Sequence, residues 1–135
     1  MPKKVVLVGH CGPDSSYLRM MIKKAVPDAV ILAADDSAEL SKVLETAEPD
    51  LLLFNRELGY GFTPDLGVEV IGTLNQSRGT SQPKLKMMLV SNYADAQRAA
   101  EAAGALPGFG KRELGTPRVT EVLKSALGDI KASNT

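Results

Sequence analysis

Apolar residues alternate between two patterns along the chain. Short apolar runs occur at Val5–Val8, Val30–Leu32, Leu51–Phe54 and Leu85–Val90, with a weaker one in "ALPGFG", Ala105–Gly110. Between them the apolar positions repeat at helical spacing. The sets are Leu18, Met21, Ile22, Ala25; then Leu40, Val43, Leu44, Ala47; then Val70, Ile71, Leu74; then Ala96, Ala99, Ala100, Ala103; then Val119, Val122, Leu123, Ala126. The runs predict strands and the spaced sets predict amphipathic helices. Asp14, after Gly12-Pro13, is the expected N-cap of the first helix, Ser37 of the second and Thr116, before Pro117, of the last. Gly104 is expected to stop the fourth helix, and "SRGTSQP", Ser77–Pro83, to form a turn.

Strands that alternate with amphipathic helices, and are themselves apolar throughout, imply a parallel sheet covered on both faces. Right-handed crossovers and this chain length point to a doubly wound, flavodoxin-like α/β fold with five strands in the order 2-1-3-4-5 and five helices. One domain over 1–130 with a frayed tail at 131–135 accounts for the whole length. In such sheets ligands sit beyond the carboxyl ends of the strands, where the order reverses. That rule selects Gly9, His10 and Cys11 after the first strand and Asn55, Arg56 and Glu57 after the third. It also selects Ser91 and Asn92 after the fourth, and Gly110 and Lys111 after the fifth.

Composition narrows the function classes. Sixteen basic residues balance sixteen acidic ones, so the chain lacks the basic excess of a nucleic-acid module or a polybasic membrane anchor. No apolar run approaches a membrane span, and the amino-terminal run is too short for a signal peptide. A single cysteine excludes an internal disulfide and suits a reducing compartment, so the expected location is cytoplasmic. Gly59, Gly61, Gly108 and Gly110 do not form a phosphate-binding fingerprint, and no cofactor is expected. His10 and Cys11 are the only histidine and cysteine. Two adjacent residues are too few ligands for a metal. Thiol chemistry at Cys11 would need a cationic neighbour.

Four segments together resemble the receiver domain of bacterial response regulators. "PDLLLFNRELG" is similar to the receiver segment whose buried third strand ends on the phospho-accepting aspartate. "GVEVI", Gly67–Ile71, resembles the start of the third helix. "MMLVSNYAD" resembles the fourth strand and its hydroxyl residue, here Ser91. "AAGALPGFGK" resembles the turn into the fifth strand and its lysine, here Lys111. The resemblance spans about the whole chain. It implies a role in two-component or phosphorelay signal transduction, with the fourth helix, fifth strand and fifth helix as the partner-binding or self-association face.

The departures fall on the chemistry. Gly9 and His10 stand where a receiver's acidic pair holds Mg²⁺, and Asn55 stands at the phospho-acceptor position. Arg112 follows the lysine in place of proline. Gly108 takes the aromatic switch position, beside Phe109. The loop "RELGYGFTPDLG" is about four residues longer than the receiver pattern. Phosphoryl transfer to a carboxylate needs a nucleophilic oxygen and a metal to offset the developing charge. An amide is a poor nucleophile, and Mg²⁺ requires hard, mostly anionic oxygen ligands. The expectation is a pseudo-receiver that is not an enzyme and acts through protein contacts without phosphorylation. Asn55 then either satisfies loose backbone groups at the strand end or keeps an interaction with Lys111. The alternative is a small-anion or nucleotide-binding domain using Asn55, Ser91 and Lys111, because the lysine has lost its carboxylate partners. Tyr60 and Phe62 are expected either to fold over the vacated pocket or to stay exposed as partner anchors.

Overall fold

Five strands build one parallel sheet: β1 (Lys4–Val8), β2 (Val30–Ala34), β3 (Leu51–Asn55), β4 (Met87–Val90) and β5 (Leu106–Phe109). Their order is β2-β1-β3-β4-β5, as the sequence pattern predicts. Five helices connect and cover them: α1 (Gly12–Ala25), α2 (Ser37–Thr46), α3 (Gly67–Ser77), α4 (Ala94–Ala103) and α5 (Pro117–Ala126). The computed structural model describes residues 2–59, 61–77 and 85–127. Tyr60, most of the expected Ser77–Pro83 turn and the expected tail at 131–135 lie outside them.

Strand side chains alternate between two cores because successive residues point to opposite faces of a sheet. Val5, Leu7, Leu51 and Leu53 pack with Leu18 and Ile22 of α1 and Val119 and Leu123 of α5. Val6, Val8, Leu52 and Phe54 pack with Leu40 of α2, Ile71 of α3 and Ala100 of α4. β1 and β3 are central and buried on both faces, which is why their sequences read as unbroken apolar runs. β2 is an edge strand, half exposed and two residues longer than its apolar run. β4 starts at Met87 rather than Leu85, although Leu52 N–H still bonds the Lys86 carbonyl.

Three helix details differ from the sequence expectation. Cys11, not Asp14, is the N-cap of α1, and Asp14 lies in the first turn. Gly12-Pro13 is helical because proline's fixed φ and missing N–H suit a first turn. Asp36, not Ser37, caps α2, its carboxylate accepting from Glu39 N–H at 2.7 Å. Along α4 only Ala100 is fully buried, with Ala96 and Ala103 partly so, while Ala99 faces solvent. Gln97 shares the inner side of α4. It serves an irregularity between the last two strands, where Met88–Val90 of β4 spans Leu106–Phe109 of β5. The amide nitrogen of Gln97 donates toward the carbonyls of Leu89 at 2.9 Å, Ser91 at 3.1 Å and Phe109 at 3.3 Å. A side chain thus serves backbone acceptors at a shifted ladder.

Candidate functional site

The loops after β1, β3, β4 and β5 converge at the carboxyl edge of the sheet. β1 ends at Gly9, whose N–H bonds Ala34 O and whose φ is +74°. A Cβ there would lie 2.7 Å from Leu58 Cδ2 and 3.0 Å from Leu58 Cα. Position 9 therefore combines a left-handed backbone with a ceiling formed by Leu58, and no side chain fits without rearrangement. Leu58 comes from the long loop after β3 and is buried.

That loop is an organised structure. Leu58 N–H bonds Asp65 O, Gly67 N–H bonds Arg56 O, and Glu57 bridges Leu66 in antiparallel fashion. Its tip is fixed to the start of α2. Ser37 N–H donates to Gly61 O at 2.9 Å, and Thr63 N–H donates to Ser37 Oγ at 3.1 Å. Phe62 is buried in the same cluster as Val8, Leu40 and Leu58. Of the two expected aromatics, Phe62 folds inward, and Tyr60 lies outside the described residues.

Asn55 ends β3 with its side chain turned toward β1 and its own loop. Nδ2 lies 3.2 Å from Gly9 O and 3.0 Å from Glu57 O. Both neighbours are carbonyls and can only accept, so the two amide hydrogens are both engaged. His10 makes a second link across the same gap, its Nε2 donating to Leu53 O at 2.9 Å. Burial holds the His10 pKa below the ordinary histidine value. The Leu53 bond acts in the other direction, and the nearby Lys111 charge adds to the lowering.

Lys111, in a 3-10 turn over Lys111–Glu113, bonds neither Asn55 nor Ser91. Its Nζ lies 2.8 Å from Asp14 Oδ2. The Lys111 hydrogen bond holds the Asp14 carboxyl below its usual range against the opposing effect of burial. Ser91 is buried, and its Oγ accepts from Tyr93 N–H at 3.1 Å. Asn55, Ser91 and Lys111 nevertheless share one small cleft of about 250 Å³, walled by Arg56, Glu57 and Tyr93. The Arg56 guanidinium stacks over the Tyr93 ring at 4.7 Å. Gly9 and His10 lie outside that lining, on the β1 side of Asn55. Cys11 is exposed.

The cleft presents an amide, a hydroxyl and an ion-paired ammonium. Among the described residues no group of three His, Cys, Asp or Glu side chains could hold a metal ion. Gly108, at the expected switch position, has no room for a side chain, since a Cβ would strike Leu89 O. Phe109 beside it is fully buried in the α1–α5 core. Two residues central to this geometry, Leu58 and Asp14 as the lysine's partner, are absent from the motif reading. The signal for Leu58 is an apolar residue isolated between Glu57 and Gly59. For Asp14 it is an acid within the loop-proximal turn of α1.

No family model matches the chain, and no curated protein matches it. Solved structures do. A putative response regulator from Chloroflexus aurantiacus superposes with a TM-score of 0.76 at 18% identity, covering 95% of this chain and 99% of that one. The signal receiver domain of a DNA-binding response regulator from Colwellia psychrerythraea 34H gives 0.71 at 17% identity, covering 91% and 96%. A beryllofluoride-activated NtrC4 receiver domain dimer gives 0.72 at 14% identity, covering 96% and 98%. The chain has the receiver fold. No helix among the described residues is long and apolar enough to cross a membrane.

Proposed function

We propose that this chain is an atypical receiver domain of two-component-type signal transduction, acting through protein contacts without aspartyl phosphorylation and without catalysing a reaction. The observation that carries the reading is Asn55. At the strand end where a phospho-acceptor would stand, it spends both amide hydrogens on Gly9 O and Glu57 O. A carboxylate there would face two carbonyl oxygens. The surroundings agree. Leu58 covers the first acidic position, Asp14 has taken up the lysine, and Phe109 is locked in the core.

The proposed contact face is α4, β5 and α5. It carries a hollow of about 480 Å³ bordered by Arg98, Glu101 and Arg118. An apolar groove of about 490 Å³ adjoins it, bordered by Leu106, Pro107 and Val122. One neighbouring fold, the NtrC4 receiver domain, is a dimer. The test pairs two measurements. Acetyl phosphate with Mg²⁺ should leave the intact mass unchanged, and capture on the immobilised chain should retain a protein partner or a second copy. A stable mass gain of one phosphoryl group would refute the reading.

A further inference from the structure

His10 Nδ1 is enclosed and has no hydrogen-bond partner among the described residues. The other ring nitrogen, Nε2, lies 2.9 Å from the Leu53 carbonyl. A carbonyl only accepts, so Nε2 carries the proton and Nδ1 of the neutral ring is an unused acceptor. The ring is thus seated for one protonation state. A proton on Nδ1 would place a donor where nothing accepts and a charge where water is excluded. The charged groups that face it are Lys111 after β5, Asp14 on α1 and Asp35 after β2. Lys111 repels an imidazolium, and Asp14 is already bonded to Lys111.

We propose that His10 is an acid-sensitive latch: neutral, its Nε2–H clamps the end of β1 to the Leu53 carbonyl of β3; protonated, it leaves that seat and carries its charge to Asp14 and Asp35. Departure removes the His10 bond from the Leu53 carbonyl, two residues before Asn55, whose own amide closes the neighbouring link to Gly9. Arrival at Asp14 competes with Lys111, so the loop after β5 is drawn in. One proton therefore loosens three of the loops that meet at the carboxyl edge. The device belongs to the chain's own packing and stands whether or not a signalling partner exists.

The lowered His10 pKa gives the direction. Above the ordinary histidine value both folded and unfolded chains are neutral at this residue. As pH falls below it the unfolded chain takes up the proton first, and stability declines until the folded ring also protonates.

The test is a titration of the intact chain by NMR, reading the imidazole nitrogens and the backbone amides together. At alkaline pH the ring should show the Nε2–H tautomer. On acidification it should protonate below about 6.5, the free-histidine value. The amides of His10, Leu53, Asn55 and Lys111 should move with the same midpoint. In His10→Gln, which keeps a side-chain N–H donor but cannot titrate in this range, that shared step should vanish. A ring carrying its proton on Nδ1, or titrating at the ordinary value while Leu53 and Asn55 stay still, overturns the proposal. So does the same step persisting in His10→Gln, which would assign it to carboxylates. If that variant does not fold, agreement or disagreement of ring and amide midpoints in the native chain decides alone.

Discussion

Lys111 Nζ lies 2.8 Å from Asp14 Oδ2, joining the turn after β5 to the first turn of α1. The pair is roughly one-third exposed on each side, at 36% and 27% of the side-chain surface. Solvent screening therefore limits its worth to under about 1 kcal/mol. Its role is to neutralise the lysine. Asp14→Asn should barely move the thermal melt but leave an uncompensated ammonium beside Ser91 and Asn55. Millimolar phosphate should then shift the amide resonances of Asn55, Ser91 and Lys111 in the variant far more than in the native chain. Equal shifts in both would show that Asp14 does not guard the cleft. Because the Asp14 carboxyl is held below its ordinary value, the pair contributes above that value and is lost as pH falls through the lowered one.

Asn55→Asp should destabilise the fold rather than restore phosphorylation. The substitution replaces two donors by acceptors opposite Gly9 O and Glu57 O. Leaving polar groups unpaired at a partly buried site costs about 1–3 kcal/mol. Chemical denaturation should show that loss. Intact mass after treatment with acetyl phosphate and Mg²⁺ should show no adduct. Rapid Mg²⁺-dependent labelling of this variant would mean that Asp14 or Glu57 can supply metal ligands.

Gly9→Asp, the other step toward an acidic site, meets Leu58 directly. A side chain at φ +74° costs about 1–2 kcal/mol before any contact is counted. The added Cβ would also press on Leu58 Cδ2. For a chain of this size each kcal/mol lowers Tm by about 3–5 °C. Gly9→Asp combined with Leu58→Ala should cost less than the sum of the single changes, since the second relieves the overlap. Strict additivity would show that the two residues do not compete for the same space.

The architecture was legible because its causes are local. β1 and β3 are central strands, so both of their faces are apolar and the run is visible in one dimension. The apolar run of β2 is shorter than the strand because Ala33 lies on an exposed edge, where composition is less constrained. The pattern places the Thr116 cap of α5 correctly but misses the caps of α1 by three residues and of α2 by one, since several capping residues stand in a row at Asp35-Asp36-Ser37 and around Asp14. The site was legible only as a set of positions. Which partner Lys111 chooses, and that Leu58 roofs Gly9, depend on how loops distant in sequence lie against each other. Neither leaves a periodic trace.

Phe62→Ala should behave as a core truncation, although Phe62 sits in a loop. Its ring packs in the cluster that contains Val8, Leu40 and Leu58, and the flanking loop backbone is hydrogen-bonded to Ser37. Truncating a buried phenylalanine costs about 3–5 kcal/mol. A change below about 0.5 kcal/mol in urea denaturation would place the ring in solvent and make the loop a surface anchor.

Arg98 and Arg118 separate surface recognition from surface structure on the α4–β5–α5 face. Arg98 is 73% exposed and, among the described residues, bonds only Asp95 within its own helix. Arg118 holds both carboxylate oxygens of Glu113 and reaches the Gly108 carbonyl. Arg118→Glu would set two carboxylates against each other and release a β5 carbonyl, so weakened binding in that variant would have two causes. Arg98→Glu is the cleaner probe. It should leave the melt within about 0.5 kcal/mol, as substitutions on open helix surface do. Partner capture or dimerisation should nevertheless weaken, with a steeper dependence on salt if a charge contact is lost. Binding that survives Arg98→Glu and Arg112→Glu but is lost on Tyr60→Ala would move the interface to the long loop after β3.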